Sequence, residues 1–188
     1  MLRITGGELK GRRIKAPAGL DTRPTADKVK EALFAILGAA LMGAKAADLF
    51  AGSGALGLEC LSRGASSCLF VEKSRRALGV IKENIAALHL EDRCRVLMAD
   101  AAKPSHLLLA AGPCQVVLAD PPYEKGLAQK AVELAGEHGF VVPGGLMVIE
   151  HSPKERPRAQ GGLFLTDNRV YGQTELTFFT AESGKEFS

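Results

Sequence analysis

Two short motifs about seventy residues apart hold the residue types best suited to chemistry in this chain. The first is DLFAGSGALG at residues 48–57, whose G-x-G-x-x-G spacing lets a loop approach the adenosine part of a cofactor. The second is DPPY at residues 120–123, which sets a carboxylate, two prolines and an aromatic ring after an apolar run. These four residues could bind a flat base that carries an exocyclic amine. Together the motifs predict methyl transfer from S-adenosylmethionine to the amino group of a nucleobase.

The second motif suits amine methylation because the lone pair of such an amine is delocalised into the ring. If the Asp120 carboxylate and the Pro121 carbonyl accept its two hydrogens, the nitrogen moves toward tetrahedral geometry and its lone pair can face the methyl group. Prolines lock the loop, and Tyr123 offers a stacking face to the base. Because the donor is already activated, positioning and local electrostatics suffice without a metal. The predicted catalytic group is Asp120, Pro121, Pro122 and Tyr123.

Acidic residues occupy the carboxyl ends of four predicted strands, beyond which ligands of open α/β sheets bind. Glu72 lies twenty positions past Gly52, where an acid can bind both ribose hydroxyls. We expect Asp100 to accept from the adenine amino group and Asp48 to hold the cofactor's ammonium, although each could instead only cap a helix. The predicted cofactor-binding residues in this part of the chain are Asp48, Phe50, Gly52, Gly54, Glu72, Asp100, Ala101 and Asp120.

The first fifteen residues carry five basic side chains against one acid, Glu8. An isolated cluster of this kind is often only a solvated surface. Here Gly6, Gly7 and Gly11 would also let a backbone approach closely, so we interpret this basic arm as a phosphate-binding surface beside the nucleobase site. The predicted RNA-binding residues are Arg3, Lys10, Arg12 and Arg13.

The elements that must position these residues alternate regularly. Short, wholly apolar strands separated by helices are typical of a parallel sheet covered on both faces. The predicted strands are 46–50, 67–72, 93–98, 116–120 and 146–151, the helices between them are 56–63, 74–88, 105–110 and 127–137, and a closing hairpin pairs 163–171 with 175–180. A preceding helix is predicted from an N-cap at Thr25, with Val29, Leu33, Ile36 and Leu37 on one face.

We therefore predict an α/β protein with a Rossmann-like, S-adenosylmethionine-dependent methyltransferase fold, in which a mostly parallel sheet is closed by an antiparallel hairpin. Residues 1–22 form a short, basic N-terminal β extension, and residues 23–188 form the methyltransferase domain. With 46% hydrophobic residues and no apolar stretch of membrane-spanning length, the composition indicates a cytoplasmic protein. The four cysteines form no C-x-x-C, so we expect reduced thiols and no metal site. We also expect the protein to be a monomer.

Other functions fit parts of this pattern. A nicotinamide enzyme could use the glycine loop, but neither Tyr123 nor Tyr171 has a lysine four residues on, and the histidines are scattered. A non-catalytic RNA-binding assembly factor could keep a vestigial cofactor fold, although the intact acids argue against decay. Adenine also has an exocyclic amine, and nothing in residues 120–123 distinguishes it from guanine.

The sequence resembles the RsmD family, the bacterial methyltransferases that act on guanine N2 in small-subunit ribosomal RNA. The resemblance implies S-adenosylmethionine as the donor and a guanine in 16S ribosomal RNA, bare or in an assembling small subunit, as the acceptor. It also implies that Arg23 and Thr25 help to bind the methionine end of the cofactor. Ala35 and Ser74 depart from the family, which often has Asn and Asp there. The resemblance rests on RITGG at 3–7, KGR at 10–12, RPT at 23–25 with Asp27, EALF at 31–34, the motifs at 48–57 and 120–123, LSRGA at 61–65, and Gly172-Gln173.

Overall fold

A seven-stranded sheet with helices on both faces forms the body of the computed structural model, which describes residues 2–17 and 24–182. The strands are β1 (Leu2–Arg3), β2 (Arg13–Ile14), β3 (Lys45–Leu49), β4 (Ser67–Glu72), β5 (Cys94–Met98), β6 (Cys114–Ala119), β7 (Val141–His151), β8 (Leu163–Tyr171) and β9 (Thr174–Ala181). The helices are α1 (Pro24–Leu37), α2 (Ala55–Ser62), α3 (Arg75–Leu88), α4 (His106–Leu109) and α5 (Leu127–Glu137). None of the helices in this described part is long and apolar enough to cross a membrane.

The strand order of the main sheet is β5-β4-β3-β6-β7-β9-β8. The first five strands in this order pair in parallel, and β9 runs antiparallel to both β7 and β8. The chain moves outward from β3 to β5 and then returns to place β6 on the other side of β3. A crevice opens at such a reversal beyond the carboxyl ends of the strands, and ligands bind there. The predicted Rossmann-like fold is confirmed.

Apolar side chains on both faces of the strands explain why the sheet is covered on both sides. Side chains of α1, α2 and α3 pack on one face, and those of α4 and α5 pack on the other. Helix α2 lies very close to the sheet at Gly57. A β-carbon at that position would lie 2.3 Å from Cε1 of Phe70 and 2.7 Å from Sγ of Cys68. The last glycine of the loop motif therefore sets how closely α2, and the loop before it, approach the strands.

Three predicted details of the elements were wrong. Helix α1 begins at Pro24, so Thr25 lies in the first turn rather than at the N-cap, and proline suits a first helical position because it has no N–H to satisfy. On that helix Ile36 is 45% exposed, whereas Val29, Leu33 and Leu37 are buried as predicted. Strand β7 begins at Val141, five residues earlier than predicted, because pairing continues through an irregularity between Cys114 and Val116.

The N-terminal strands β1 and β2 pair with each other and dock on α2. Ile4 and Ile14 are buried in the same core as the helices on that face. The carboxylate of Glu59, fully buried on α2, accepts hydrogen bonds from Thr5 N and Gly6 N at 2.9 and 2.8 Å. This arm is thus a packed part of the structure, while a domain boundary between residues 22 and 23 stays a prediction.

Candidate active site

A cavity of about 560 Å³ opens at the carboxyl ends of the strands, where the chain reverses direction between β3 and β6. Both sequence motifs meet there, although they are far apart along the chain. The cavity has a largely apolar surface with a few carboxylates. Its lining residues include Asp48, Phe50, Ala51, Gly52, Ser53, Val71, Glu72, Ala77, Ala99, Ala101, Asp120, Pro121, Pro122, Tyr123 and Glu150.

Glu72, at the end of β4, is held by two backbone amides. Gly52 N donates to Oε2 at 3.0 Å, and Ser74 N donates to Oε1 at 2.7 Å. The carboxylate thereby ties the glycine loop to the start of α3, while it still faces the cavity. The side chain of Ser74 caps α3 by accepting from Ala77 N at 3.3 Å. Serine therefore supplies the cap at this position, where the resembling family often has aspartate.

Asp48, at the end of β3, is almost completely buried and lines the cavity. Its Oδ2 accepts from Gly57 N at 2.8 Å, so it does stabilise the start of α2. Burial raises the pKa of Asp48 to about 8, opposed by this hydrogen bond and reinforced by the nearby charge of Glu72. No salt bridge to Asp48 comes from the residues that the structure describes. A cation bound beside Asp48 would lower this pKa and favour the charged carboxylate.

Two predicted cofactor residues lie away from this cavity. Gly54 precedes α2 with φ +79°, so its backbone shapes the loop, and it does not line the cavity. Asp100 accepts from Ala102 N at 3.1 Å and lies in a second, smaller cleft beside α5, whereas its neighbours Ala99 and Ala101 line the main cavity. Arg23 lies outside the described residues, as does the side chain of Thr25.

The second motif lines the same cavity from the end of β6, which lies on the other side of β3 from β4. Asp120 follows β6 and is accessible from the open cavity, and Pro121 behind it is buried. The depth of the Asp120 carboxyl group within the cavity, together with the charges of Glu150 and Asp48, raises the pKa of Asp120 well above its ordinary value. The hydroxyl of Tyr123 donates to Oε1 of Glu150 at 3.0 Å and lies 3.1 Å from Thr174 Oγ1. The tyrosine ring is therefore fixed at the mouth of the cavity.

Glu150 is a site residue that the sequence analysis missed. It lies near the end of β7, and the pairing of Ala119 with Ile149 places it beside Asp120 on the neighbouring strand. Burial raises the pKa of Glu150, and the hydrogen bond from Tyr123 partly offsets this. The signal was present, because Glu150 is a fifth acid near the end of a predicted strand. In residues 2–17 and 24–182, no three His, Cys, Asp or Glu side chains form a group that could hold a metal ion.

The turn after Tyr123 is clamped from the far side by Glu155. Its carboxylate accepts hydrogen bonds from Glu124 N, at 2.6 Å, and from Gly126 N. Glu124 has a φ of +60°, a conformation that a residue with a β-carbon adopts at a cost, so this clamp holds a strained turn. The segment that follows β7 thus fixes the shape of the cavity wall formed by residues 120–123, called the acceptor wall below.

The buried side chain of Asn84 connects the N-terminal arm to the glycine loop of the first motif, called the cofactor loop below. Asn84 on α3 accepts from Lys15 N at 2.8 Å, and its Nδ2 donates to the carbonyls of Lys15 and Ser53, each at 3.0 Å. Gly6 and Gly7, interpreted above as points of approach for RNA, instead approach the end of α2. A β-carbon on Gly7 would lie 1.8 Å from the Ser62 carbonyl oxygen.

The four predicted RNA-binding side chains are all exposed on this arm, but they are not equivalent. Arg12 donates from Nη2 to the Ala87 carbonyl at 2.9 Å, at the end of α3. This bond ties Arg12 to the protein surface. Among the described residues, the side chains of Arg3, Lys10 and Arg13 have no hydrogen-bond or salt-bridge partner.

Comparison with known proteins agrees with this geometry. The sequence profile of the family described as conserved hypothetical protein 95 matches residues 2–180. The Bacillus subtilis (strain 168) protein named "Putative rRNA methyltransferase YlbH" is 37% identical over 183 residues, which cover 95% of this chain and 98% of that protein. "Ribosomal RNA small subunit methyltransferase D" of Escherichia coli (strain K12) is 32% identical over 186 residues, 98% of this chain and 92% of that protein.

A solved structure agrees over the same length. The protein described as "Putative methyltransferase yhhF from Escherichia coli" superposes with a TM-score of 0.83 at 33% identity, covering 97% of this chain and 98% of that one. The profile match and these relatives span nearly the whole chain, including both walls of the cavity. The chain therefore belongs to the RsmD family of S-adenosylmethionine-dependent methyltransferases.

Proposed function

We propose that this protein transfers a methyl group from S-adenosylmethionine to the exocyclic N2 amine of a guanine in small-subunit ribosomal RNA. The observation that carries the proposal is that one cavity has carboxylates for the cofactor, Asp48 and Glu72, on one wall and the Asp120–Tyr123 motif on the other. The E. coli and B. subtilis relatives, named as methyltransferases of ribosomal RNA, support RNA as the substrate. The family resemblance supports guanine.

The residues of the first wall fit S-adenosylmethionine. The two oxygens of Glu72 are fixed by amides at the cavity surface, where they can accept from both hydroxyls of a ribose. The buried Asp48 carboxylate suits the ammonium of the methionine end, because a charge at that depth needs a partner. Small apolar residues, Ala77, Ala99 and Ala101, leave room for a flat adenine. The bound cofactor supplies a methyl group that is already activated for transfer.

The second wall prepares the acceptor. We infer that Asp120 and the Pro121 carbonyl each accept one hydrogen of the amine, which holds the nitrogen lone pair toward the methyl group. As the carbon–nitrogen bond forms, the bond from that carbon to the sulfur of the cofactor would break, S-adenosylhomocysteine would leave, and one of these amine hydrogens would pass as a proton to Asp120. Tyr123, fixed by Glu150 and Thr174, stacks on the base and excludes water from that side. Positioning and a local carboxylate are the catalytic contributions of this chain.

The substrate base must leave its stack to reach this cavity, and that costs least in a single-stranded loop. The exposed side chains of Arg3, Lys10 and Arg13 would hold the phosphates on either side of it. Because the arm is bonded to Ser53 through Asn84, RNA held by the arm would be held in a fixed position relative to the cofactor loop.

The test offers labelled S-adenosylmethionine to small ribosomal subunits from cells that lack this gene, beside duplex DNA and free adenine-rich RNA. The expected product is N2-methylguanine in small-subunit RNA, identified by mass mapping. Label in N6-methyladenine of DNA would overturn the proposal in favour of a DNA methyltransferase. Cofactor binding without transfer to any of the three substrates would favour a non-catalytic assembly factor.

Replacing Glu72 with alanine should weaken S-adenosylmethionine binding while leaving the protein folded. Loss of a hydrogen bond to a charged group costs about 1.5–3 kcal/mol, so affinity measured by calorimetry should fall roughly ten- to 150-fold. Replacing the exposed Glu91, which precedes β5 at the other end of the strands, with alanine should leave the affinity unchanged. Unchanged affinity in Glu72→Ala, or tighter binding of NAD than of S-adenosylmethionine by the unaltered protein, would contradict the assignment.

A further inference from the structure

Glu150 faces the acceptor side of the cavity and is not needed to explain how an amine is held. Asp120 and the Pro121 carbonyl already suffice for the two amine hydrogens. Yet Glu150 lines the same cavity, beside Asp120 on the neighbouring strand. Its Oε1 accepts from Tyr123, and no hydrogen bond from the described residues reaches Oε2. A half-buried carboxylate oxygen therefore remains available beside the position of the target amine.

The chemistry of the bases indicates what this oxygen could bind. Adenine, cytosine and guanine each carry one exocyclic amine. In adenine and cytosine the ring nitrogen next to that amine carries a lone pair and accepts hydrogen bonds. In guanine alone, one of the adjacent ring nitrogens, N1, carries a hydrogen and donates. A carboxylate beside the amine would attract guanine and repel the other two bases, because an acceptor would then face an acceptor.

We propose that Glu150 is the residue that selects guanine, by accepting the ring N1–H through Oε2 while Asp120 accepts from the N2 amine. This inference rests on the proposed function, methylation of a base amine in RNA. It supplies the discrimination between guanine and adenine that residues 120–123 lack. Tyr123 donates to Oε1, which leaves Oε2 for the base. Thr174 lies within hydrogen-bonding distance of the same tyrosine hydroxyl, so the arrangement depends on β9 as well.

The alternative role for Glu150 is to orient Tyr123 and nothing more. The two roles differ in one measurable respect. If Glu150 only orients the tyrosine ring, its loss should slow the reaction on every base alike. If it reads N1–H, its loss should change the ratio of rates between guanine and an analogue that lacks this hydrogen. 2-Aminopurine is such an analogue, because it keeps the amine at C2 but has an unprotonated N1.

The experiment uses small-subunit RNA into which a synthetic segment is ligated, assembled with the small-subunit proteins. The segment carries guanine, 2-aminopurine or adenine at the position that mass mapping identifies as the acceptor. The unaltered protein should methylate guanine at least about 100-fold faster, in kcat/KM, than 2-aminopurine, since sites built to bind an N–H reject analogues that lack it. If the unaltered protein methylates adenine and not guanine, the proposed function itself is wrong.

Three variants then test Glu150. In Glu150→Gln the amide can donate to an unprotonated N1 or accept from N1–H, so the ratio of guanine to 2-aminopurine should fall to within tenfold. Tyr123→Phe, which lacks the bond to Glu150, should slow both bases and change the ratio less than threefold. Glu91→Gln, on an exposed turn before β5, is the matched control and should change neither rate.

The outcomes separate the two hypotheses. If Glu150→Gln leaves the ratio of kcat/KM on guanine to that on 2-aminopurine unchanged, Glu150 does not select guanine. The same follows if Tyr123→Phe lowers this ratio as much as Glu150→Gln does. In both cases the proposed function stands. Thermal melts of each variant check that it is folded. If Glu150→Gln melts well below the unaltered protein, Glu150→Asp replaces it. The shorter carboxylate should lower the ratio at least fivefold without loss of the fold, and an unchanged ratio in this variant would also overturn the inference.

Discussion

Replacing Asp120 with alanine should cut turnover by roughly two to four orders of magnitude, the usual range for a positioned proton acceptor. The reason is that Asp120 lies on the acceptor wall, opposite the residues that we assign to the cofactor. Its loss removes the group that holds the amine and takes up its proton. The affinity for S-adenosylmethionine, measured by calorimetry, should change less than about threefold. Single-turnover rates on small ribosomal subunits provide the measurement, and EDTA should have no effect on them.

Two companion variants make this result specific. Asp120→Asn keeps an acceptor oxygen in the same place but cannot take up a proton, so its turnover should exceed that of Asp120→Ala and stay at least about tenfold below that of the unaltered enzyme. Asp92→Ala removes an exposed acid on the turn before β5 and should be fully active. If Asp120→Ala turns over at the rate of the unaltered enzyme, the mechanism is wrong, whatever happens to its cofactor affinity.

The arrangement of the sheet could be predicted from the sequence because its signals are local. Apolar runs such as 67–72, followed by amphipathic segments, indicate parallel strands with crossover helices, and GQ at 172–173 indicates a tight hairpin turn. The limits of β7 could not be predicted in the same way. Pro143, Gly144 and Gly145 are residues typical of turns, and the pairing of β6 with Val141 that extends the strand depends on contacts far along the chain.

The same distinction applies to the candidate site. Asp48, Glu72 and Asp120 lie at or directly after the ends of their strands, so the topology brings them to one cavity as predicted. Asp100 follows β5 by two residues, and that distance turns it into a separate cleft. Position near a strand end therefore predicts the neighbourhood of a side chain better than its direction. Glu150 was missed for a related reason, because its significance depends on its contact with Tyr123 across two strands.

The N-terminal arm illustrates how one pattern can have two physical causes. Its glycines were interpreted as openings for RNA, but at Gly6 and Gly7 the close neighbour is α2. His151 is a second example, since it is one of the scattered histidines and is buried, with its ring nitrogens 2.8 Å from Ser152 O and 2.7 Å from Thr177 Oγ1. A glycine in a sequence indicates a close neighbour, and a polar residue indicates a hydrogen-bond partner, but neither identifies that neighbour.

This docking determines how the RNA contacts of the arm must be tested. Deleting residues 1–15 would remove the hydrogen bonds that Thr5 N and Gly6 N donate to the buried Glu59 carboxylate, and each such bond to a charged group is worth about 1.5–3 kcal/mol. Removing Ile4 and Ile14 from the core costs about 1.5–3 kcal/mol more for each. The sum is comparable with the whole stability of a domain, so the deleted protein should unfold. A circular-dichroism melt close to that of the full chain would contradict this.

Neutralising the exposed charges alone should abolish most of the RNA affinity and leave the fold intact. Single-stranded RNA releases about 0.7 counterions for each phosphate contact, so Arg3, Lys10 and Arg13 together predict a salt slope of about −2. Replacing all three with Gln should bring the slope close to zero and weaken binding at low salt by at least about tenfold. Affinity for S-adenosylmethionine should not change, because none of the three lines the cavity.

The matched control carries the same loss of charge on the opposite face of the sheet. Lys103, Lys130 and Arg158 are exposed beside α5, and their replacement with Gln should leave the salt slope near −2. Arg12→Gln should lower the salt slope less than a single replacement of Arg3, Lys10 or Arg13 with Gln. The reason is that the Arg12 guanidinium is already bonded to Ala87 O. Equal flattening of the slope by both triple variants would mean that RNA responds only to net charge. The basic arm would then have no specific part in holding the substrate.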